Sequence, residues 1–430
     1  MKLVSGPMPT GLKQIIAIAG LLLALPGIPL AFGFFCVTLI LTGESDSEAL
    51  RFGLASFTLM VVTLGAGGAV FWQAMASLRK NKSEPPPWPP IWALAGVFCL
   101  LVAMGLFVTG NDFAPGLLFP PILVIAAALP PLMAVSWFTG QNIAGLTWRR
   151  AVVALAGGAT VSVFIAVVLE ILLPAIILAL VFNLANLVLA SGEALFEALA
   201  GEDIAAAMTN PGFIFVFVQV AIIAPLAEEL AKPLVTLPLV GRVSRRTAFL
   251  IGAMAGAGFA ALENVIYAGF GFYFWAGILG VRALGGAIHP LGSGLVTLGW
   301  RDVFSGQPGA WPNWFVRFGL AAGMHALWNG GSLLVITLAG AKFFGELPPE
   351  IDVLGLSAAG TTLALLIILG LAALWLGRAI GQNTQLPGSL ESEQAETTFT
   401  LSNRAVAIWA LACLVMIVPA GIAGLQLVMR

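Results

Sequence analysis

The sequence predicts an all-α fold, a polytopic transmembrane helical bundle of about eleven spans with a cytoplasmic N-terminus. Three observations predict it. Of 430 residues, 60% are hydrophobic and 9% are charged, with a mean hydropathy of +1.01, whereas soluble domains carry about 25% charged residues. Apolar runs long enough to cross ~30 Å of hydrocarbon recur along the chain. Lysine and arginine fall unevenly between the intervening loops, as they do when one set of loops stays cytoplasmic. The net charge of −1 leaves no basic field for a nucleic acid, so that partner is excluded.

The runs lie near residues 15–41, 53–78, 91–110, 116–138, 151–190, 213–240, 248–275, 279–300, 315–340, 353–377 and 405–428. The first is too long for a signal-peptide core of about 7–15 residues and reads as a retained span. The run 151–190 would be about 60 Å long as one helix, and it contains Glu170 and Pro174. A single crossing, as one kinked helix, is preferred because it puts Arg149, Arg150, Arg242, Arg245, Arg246, Arg301, Arg317 and Arg378 on the cytoplasmic side; a double crossing would expose "GRVSRR" outside. Arg282 then falls outside, and the basic loops read as orientation signals only. The proline-rich "SEPPPWPP" (83–90) is expected to be a stiff connector and 381–398 a polar cytoplasmic linker. Residues 193–208 read as an interfacial helix. Cys36, Cys99 and Cys413 form no metal-ligand spacing and read as packing residues.

Ionisable groups at membrane depth are costly, by about +2.5 to +3.5 kcal/mol on the lower scales, and each calls for a functional hypothesis. Within the runs they are Glu170, Glu228, Glu229, Lys232 and Glu263, joined by the chain's two histidines, His289 and His325; no run holds a clear aspartate. Counted from the cytoplasmic helix ends, the Glu228/Glu229 pair, Glu263, His289 and His325 lie about 15–23 Å deep, on four separate helices. Glu228 and Lys232 are i,i+4 and share a face, so the lysine can neutralise one carboxylate, while Glu229 points about 100° away. Asn264 adjoins Glu263, and His325 and Asn329 are i,i+4 in "HALWN".

These groups can activate water against a carbonyl. A buried glutamate can act as general base, with histidine and asparagine donating to a developing oxyanion. Equally, His289, His325 and one of Glu228, Glu229 or Glu263 can bind zinc with an open water position. A zincin HExxH is excluded because the only histidines stand 36 positions apart. His289 and Ser293 are i,i+4, but a rhomboid-type GxSG would need glycine where Leu291 stands. The rival class is a proton- or ion-coupled secondary transporter, which also uses mid-depth carboxylates and histidines. No second copy of the motifs lies in 1–212 to suggest its internal repeat.

"EELAK" (228–232), "FAALEN" (259–264), His289 and "HALWN" (325–329), in that order, resemble the motifs of the PrsW family of bacterial intramembrane proteases. That family is distantly similar to the CAAX prenyl endopeptidase and bacteriocin-immunity group. Lys232 stands one position early for that wider group, and Glu263 stands where its second motif has histidine. The resemblance covers 213–340, expected as the catalytic core. Spans without a matched motif lie on either side, in 1–212 and 341–430. It implies catalytic roles for Glu228, Glu229, Glu263, His289, His325 and Asn329, with Lys232 and Asn264 as charge partners. If a metal is used, Glu263, His289 and His325 would hold it, with zinc the expected ion; a metal-free glutamate mechanism is the alternative. The implied partner is a membrane-spanning protein substrate of the anti-sigma-factor kind, and the implied location is the bacterial plasma membrane.

Overall fold

The computed structural model describes residues 10–40, 47–86, 88–111, 115–140, 146–181, 211–240, 243–270, 272–343 and 349–382, and their regular structure is all helical. Helices α1 (Thr10–Ala24) and α2 (Gly27–Ile40) form the first run, parted by a turn at Pro26. Helices α3 (Ser47–Met60) and α4 (Gly67–Leu78) are joined through a π turn, Val61–Ala66. After the connector come α5 (Ile91–Gly110) and α6 (Pro115–Thr139). A second π turn, Gly158–Ser162, links α7 (Trp148–Gly157) to α8 (Val163–Val181). Helix α9 (Pro211–Val218) passes through a third, Gln219–Ile223, into α10 (Ala224–Ala231), a 3-10 turn (Lys232–Thr236) and α11 (Leu237–Val240). The remaining helices are α12 (Arg245–Phe270), α13 (Trp275–Leu284), α14 (Ile288–Phe304), α15 (Ala310–Phe343) and α16 (Pro349–Gln382).

The distribution of burial is that of a membrane body. Ile40, Trp92 and Trp375 are 79%, 75% and 72% exposed, while Lys232, Glu229 and His325 are fully enclosed. Eight helical segments among the described residues are long and apolar enough to cross a membrane, so this is a multi-pass membrane protein. The expected run 405–428, the expected interfacial helix 193–208 and nearly all of the linker 381–398 lie outside the described residues.

One expectation on the spans needs correction. The run 279–300 is not one helix, because the chain turns at Gly285–Ala287 and restarts as α14, with Pro290 in the first turn where a missing N–H leaves no helical bond unmade. Neither α14 nor α15 is among the eight membrane-competent segments. At 17 residues α14 is short, and α15 carries Asn313, Arg317, His325 and Asn329. The surroundings of α14 are protein: all of it except Trp300, Val303 and Phe304 is buried. Helix α14 also runs past the expected run, beyond residue 300, to include Asp302. That buried carboxylate receives Arg245, Arg317 and Arg301 at 2.6, 2.8 and 3.4 Å, so these arginines do more than orient the chain. Cys99, expected to pack, is exposed.

The core is built around α12, which packs on α6, α7 and α14. Its "GAMAGAGFAA" stretch permits close approach, since a Cβ on Gly256 would overlap the His289 carbonyl oxygen and one on Gly258 the Leu155 carbonyl oxygen. Gly256→Leu should therefore destabilise the fold by about 1–3 kcal/mol or more. An unchanged thermal midpoint in detergent would contradict the close α12–α14 packing.

Candidate active site

The acidic segment owes its shape to its prolines. In the π turn the Ala224 N–H reaches back five residues to the Gln219 carbonyl. The next donor in that register would be Pro225, which has no N–H, so the Val220 carbonyl is left without a helical partner. Asn329 Nδ2, from α15, donates to it at 3.3 Å. Pro233 follows in the 3-10 turn that begins at Lys232. The result gathers three ionisable groups on the inner side: Lys232 Nζ lies 2.9 Å from Glu228 Oε2 and 2.8 Å from Glu229 Oε1. The expectation that Glu229 points away is thus corrected, because i,i+3 spacing also brings it within reach of the lysine. The ammonium further sits 4.4 Å from the Phe259 ring centroid.

Both histidines meet this cluster, their ring centroids 4.4 Å apart. His289 turns Nδ1 toward Glu228 Oε2 (3.9 Å) and Nε2 toward Glu263 Oε2 (3.0 Å). His325 turns Nε2 toward Glu228 Oε2 (3.7 Å) and Nδ1 toward Glu229 Oε1 (3.1 Å). The carboxylate partners assign the ring protons to Nε2 of His289 and Nδ1 of His325. Each imidazole then turns its lone pair toward Glu228. Lys232 Nζ donates to His289 Nδ1 at 2.7 Å.

Arg282, which sequence reasoning placed in an outer loop, is part of this network. It lies on α13 with a side chain only 10% exposed, its Nη2 2.6 Å from Glu263 Oε2 and its Nε donating to Asn264 Oδ1 at 2.6 Å. The usable signal was an isolated arginine in the apolar "WAGILGVRAL", seven positions before His289. Asn264 in turn donates from Nδ2 to the Ala127 carbonyl at 2.9 Å, the oxygen that Pro131 leaves free four residues on. Gln219 does the same for the Glu170 carbonyl at 3.0 Å, freed by Pro174. Asn329 is therefore bonded to backbone and lies apart from the Glu/His contacts. Ser293 is fully buried, and its Oγ makes no hydrogen bond to His289.

Glu228, His289 and His325 each offer one donor atom, all within 4.8 Å of one another. His325 Nε2 is buried without a hydrogen bond, while Glu228 Oε2 and His289 Nδ1 face the Lys232 ammonium at 2.9 and 2.7 Å; these lone pairs converge on one positively charged point, as they would on a cation. The sequence expectation named Glu263 as the carboxylate of this set. The structure puts Glu263 one step back, between Arg282 and His289 Nε2, so Glu228 takes its place in the donor group.

Residues 146–349 match the family model of PrsW family intramembrane metalloproteases. The chain carries a PrsW-family protease domain. No curated protein and no solved structure matches the chain. The PrsW match begins just before α7 and reaches the start of α16, so it takes in every residue of the Glu/His/Lys cluster together with Arg282 and Asn264. The protein is accordingly a membrane-embedded peptidase.

In this PrsW domain the amides of Asn264 and Asn329 should act on stability through the carbonyls they satisfy. Removing a buried donor costs about 1–3 kcal/mol, so Asn329→Ala should lower the thermal midpoint. Asn329→Asp, which offers a carboxylate in place of the amide donor, should not restore it. A wild-type midpoint for either variant would show that the Val220 carbonyl has another partner.

Proposed function

We propose that this protein is an intramembrane endopeptidase that hydrolyses peptide bonds of membrane-spanning or membrane-proximal proteins with water activated beside Glu228 and Glu229. One observation carries the reading: two buried imidazoles each turn one nitrogen toward Glu228 and tie the other to a second carboxylate. A structural ion pair would need neither histidine. The resemblance to the PrsW family adds the substrate class, a single-pass membrane protein of the anti-sigma-factor kind, and a bacterial plasma-membrane location.

The donor set fits a divalent cation, with Glu228, His289 and His325 as the residues that would hold it and zinc suited to two imidazoles and a carboxylate. When bound, such an ion supplies Lewis acidity toward water and the scissile carbonyl. Glu263 and Glu229 accept the outward N–H groups of His289 and His325, which orients both rings and raises their basicity. Glu229 Oε2 makes no hydrogen bond; it is the oxygen that takes the proton from water and returns it to the leaving amine. Lys232 balances the carboxylate charge. A divalent cation held by these residues would compete with the Lys232 ammonium for Glu228 Oε2 and His289 Nδ1, and Lys232 would keep its pairing with Glu229. Arg282 fixes Glu263, and Asn329 positions the glutamate-bearing segment by holding its backbone.

Three predictions separate these roles. In proteoliposomes with a single-pass substrate, Glu228→Gln, Glu229→Gln and His325→Ala should each lower cleavage by about 10²–10⁴-fold. Metal analysis should show that Glu228→Gln, His289→Ala and His325→Ala lose bound metal while Glu229→Gln keeps it. Wild-type cleavage in all of these variants would sink the protease assignment to this cluster; full activity of metal-free protein would remove the cation and leave the glutamate base. Arg282→Gln should weaken metal binding by about 10–100-fold, with partial recovery in Arg282→Lys. Equal affinity in wild type and both variants would mean that Glu263 does not need its arginine.

A further inference from the structure

Away from the Glu/His cluster, one end of the bundle carries a second polar group that the peptidase reading does not use. Asp302, in the last turn of α14, receives Nη1 of Arg245 at 2.6 Å, of Arg317 at 2.8 Å and of Arg301 at 3.4 Å. Arg301 Nε also donates to the Val243 carbonyl at 3.4 Å. One carboxylate thus faces three guanidinium groups, leaving two positive charges uncompensated within the cluster. Joining α12 and α15 to α14 accounts for contacts from Arg245 and Arg317, yet Asp302 balances only one of the three charges. The arginines are unevenly covered: the Arg301 side chain is 9% exposed, that of Arg317 19% and that of Arg245 32%. The cluster therefore opens outward along Arg317 and Arg245, and Arg245 Nε is buried without a hydrogen bond.

The same end carries an aromatic group. Trp300 lies against Trp314 and Trp311 at 5.1 and 6.0 Å, and Trp314 stacks on Phe318 at 5.3 Å. Trp314, Arg317 and Phe318 follow one another at i, i+3 and i+4 on α15, and Trp300 directly precedes Arg301. Trp311 and Phe315 are exposed. Exposed tryptophan beside arginine at helix ends marks the level of lipid headgroups, and basic pockets between transmembrane helices bind anionic headgroups there. Guanidinium forks match phosphate oxygens in pairs.

We propose that Arg245 and Arg317, with Arg301 behind them, bind the phosphodiester of an anionic phospholipid whose acyl chain lies along Trp311 and Phe315. The three helices joined at Asp302 are α12, α14 and α15, which also carry Glu263, His289 and His325. A lipid seated there would brace the peptidase helices from a point about 20 Å along α14 from His289. The inference stands on the arginine geometry and does not depend on the peptidase reading.

The test uses the full-length protein in detergent, titrated with dioctanoyl phosphatidylglycerol, dioctanoyl phosphatidylcholine or inorganic phosphate, with the thermal midpoint as readout. Phosphatidylglycerol should raise the midpoint at a concentration about tenfold lower than phosphatidylcholine, and phosphate alone should give little. The double variant Arg245→Gln/Arg317→Gln should lose the preference. An equal response to both lipids, or an unchanged preference in the double variant, would overturn the site; an equal response to phosphate would make it a free-anion site and overturn the lipid. Should the double variant fail to fold, wild type decides in nanodiscs. Brominated phosphatidylglycerol must quench tryptophan fluorescence more than brominated phosphatidylcholine, and equal quenching refutes the proposal.

Discussion

The structure depends on one buried ammonium group. Lys232 is fully enclosed and touches Glu228, Glu229 and His289 within 2.9 Å. Three ionisable side chains inside a membrane body would each be expelled if left alone, and burying them becomes tolerable only with close charge pairing and further hydrogen bonds on the remaining atoms. Those further bonds come from other helices. Glu263 and Arg282 reach the cluster through His289, while His325 closes it from α15. Removing the lysine would leave two adjacent buried carboxylates without their shared countercharge.

The glutamate-bearing segment has a π turn before it and a 3-10 turn after it, and such turns leave backbone groups unbonded. In a lipid environment no water is present to satisfy them. The chain meets this with amides: Asn264, Gln219 and Asn329 each donate to a carbonyl left free by a proline on a neighbouring segment. The prolines and the amides are thus two halves of one device. Asn264 links the device to the chemistry, since its oxygen accepts from Arg282 and its nitrogen holds α6.

The inner helices could become polar because the outer ones are not. Helices α14 and α15, which bear the histidines, fall short of the length or apolarity of a lipid-facing span, and α14 is enclosed by protein on nearly every side. Glycine on α12 lets α14 approach to backbone contact at His289, so the position of that histidine is set by two main chains. At the far end Asp302 joins the same helices through three arginines.

Composition and apolar periodicity sufficed for an all-helical membrane bundle, because the bilayer restricts the chain to very few solutions. The candidate residues were also legible, since Glu228, Glu229, Lys232, Glu263, His289 and His325 stand out where polarity is expensive. Their partnerships were not. The i,i+4 spacing suggested that Lys232 serves one carboxylate, yet its ammonium also reaches Glu229 at i,i+3. Arg282 looked like a loop residue because the break at Gly285–Ala287 is hidden in an apolar run. Glu263 looked like a metal ligand, but Arg282 and His289 hold it a step behind Glu228. By itself the sequence determined which groups must be buried and so must be compensated; which atom compensates which was decided by the tertiary structure, because contacts between helices depend on close approach and on broken helical hydrogen bonds that no single segment reveals.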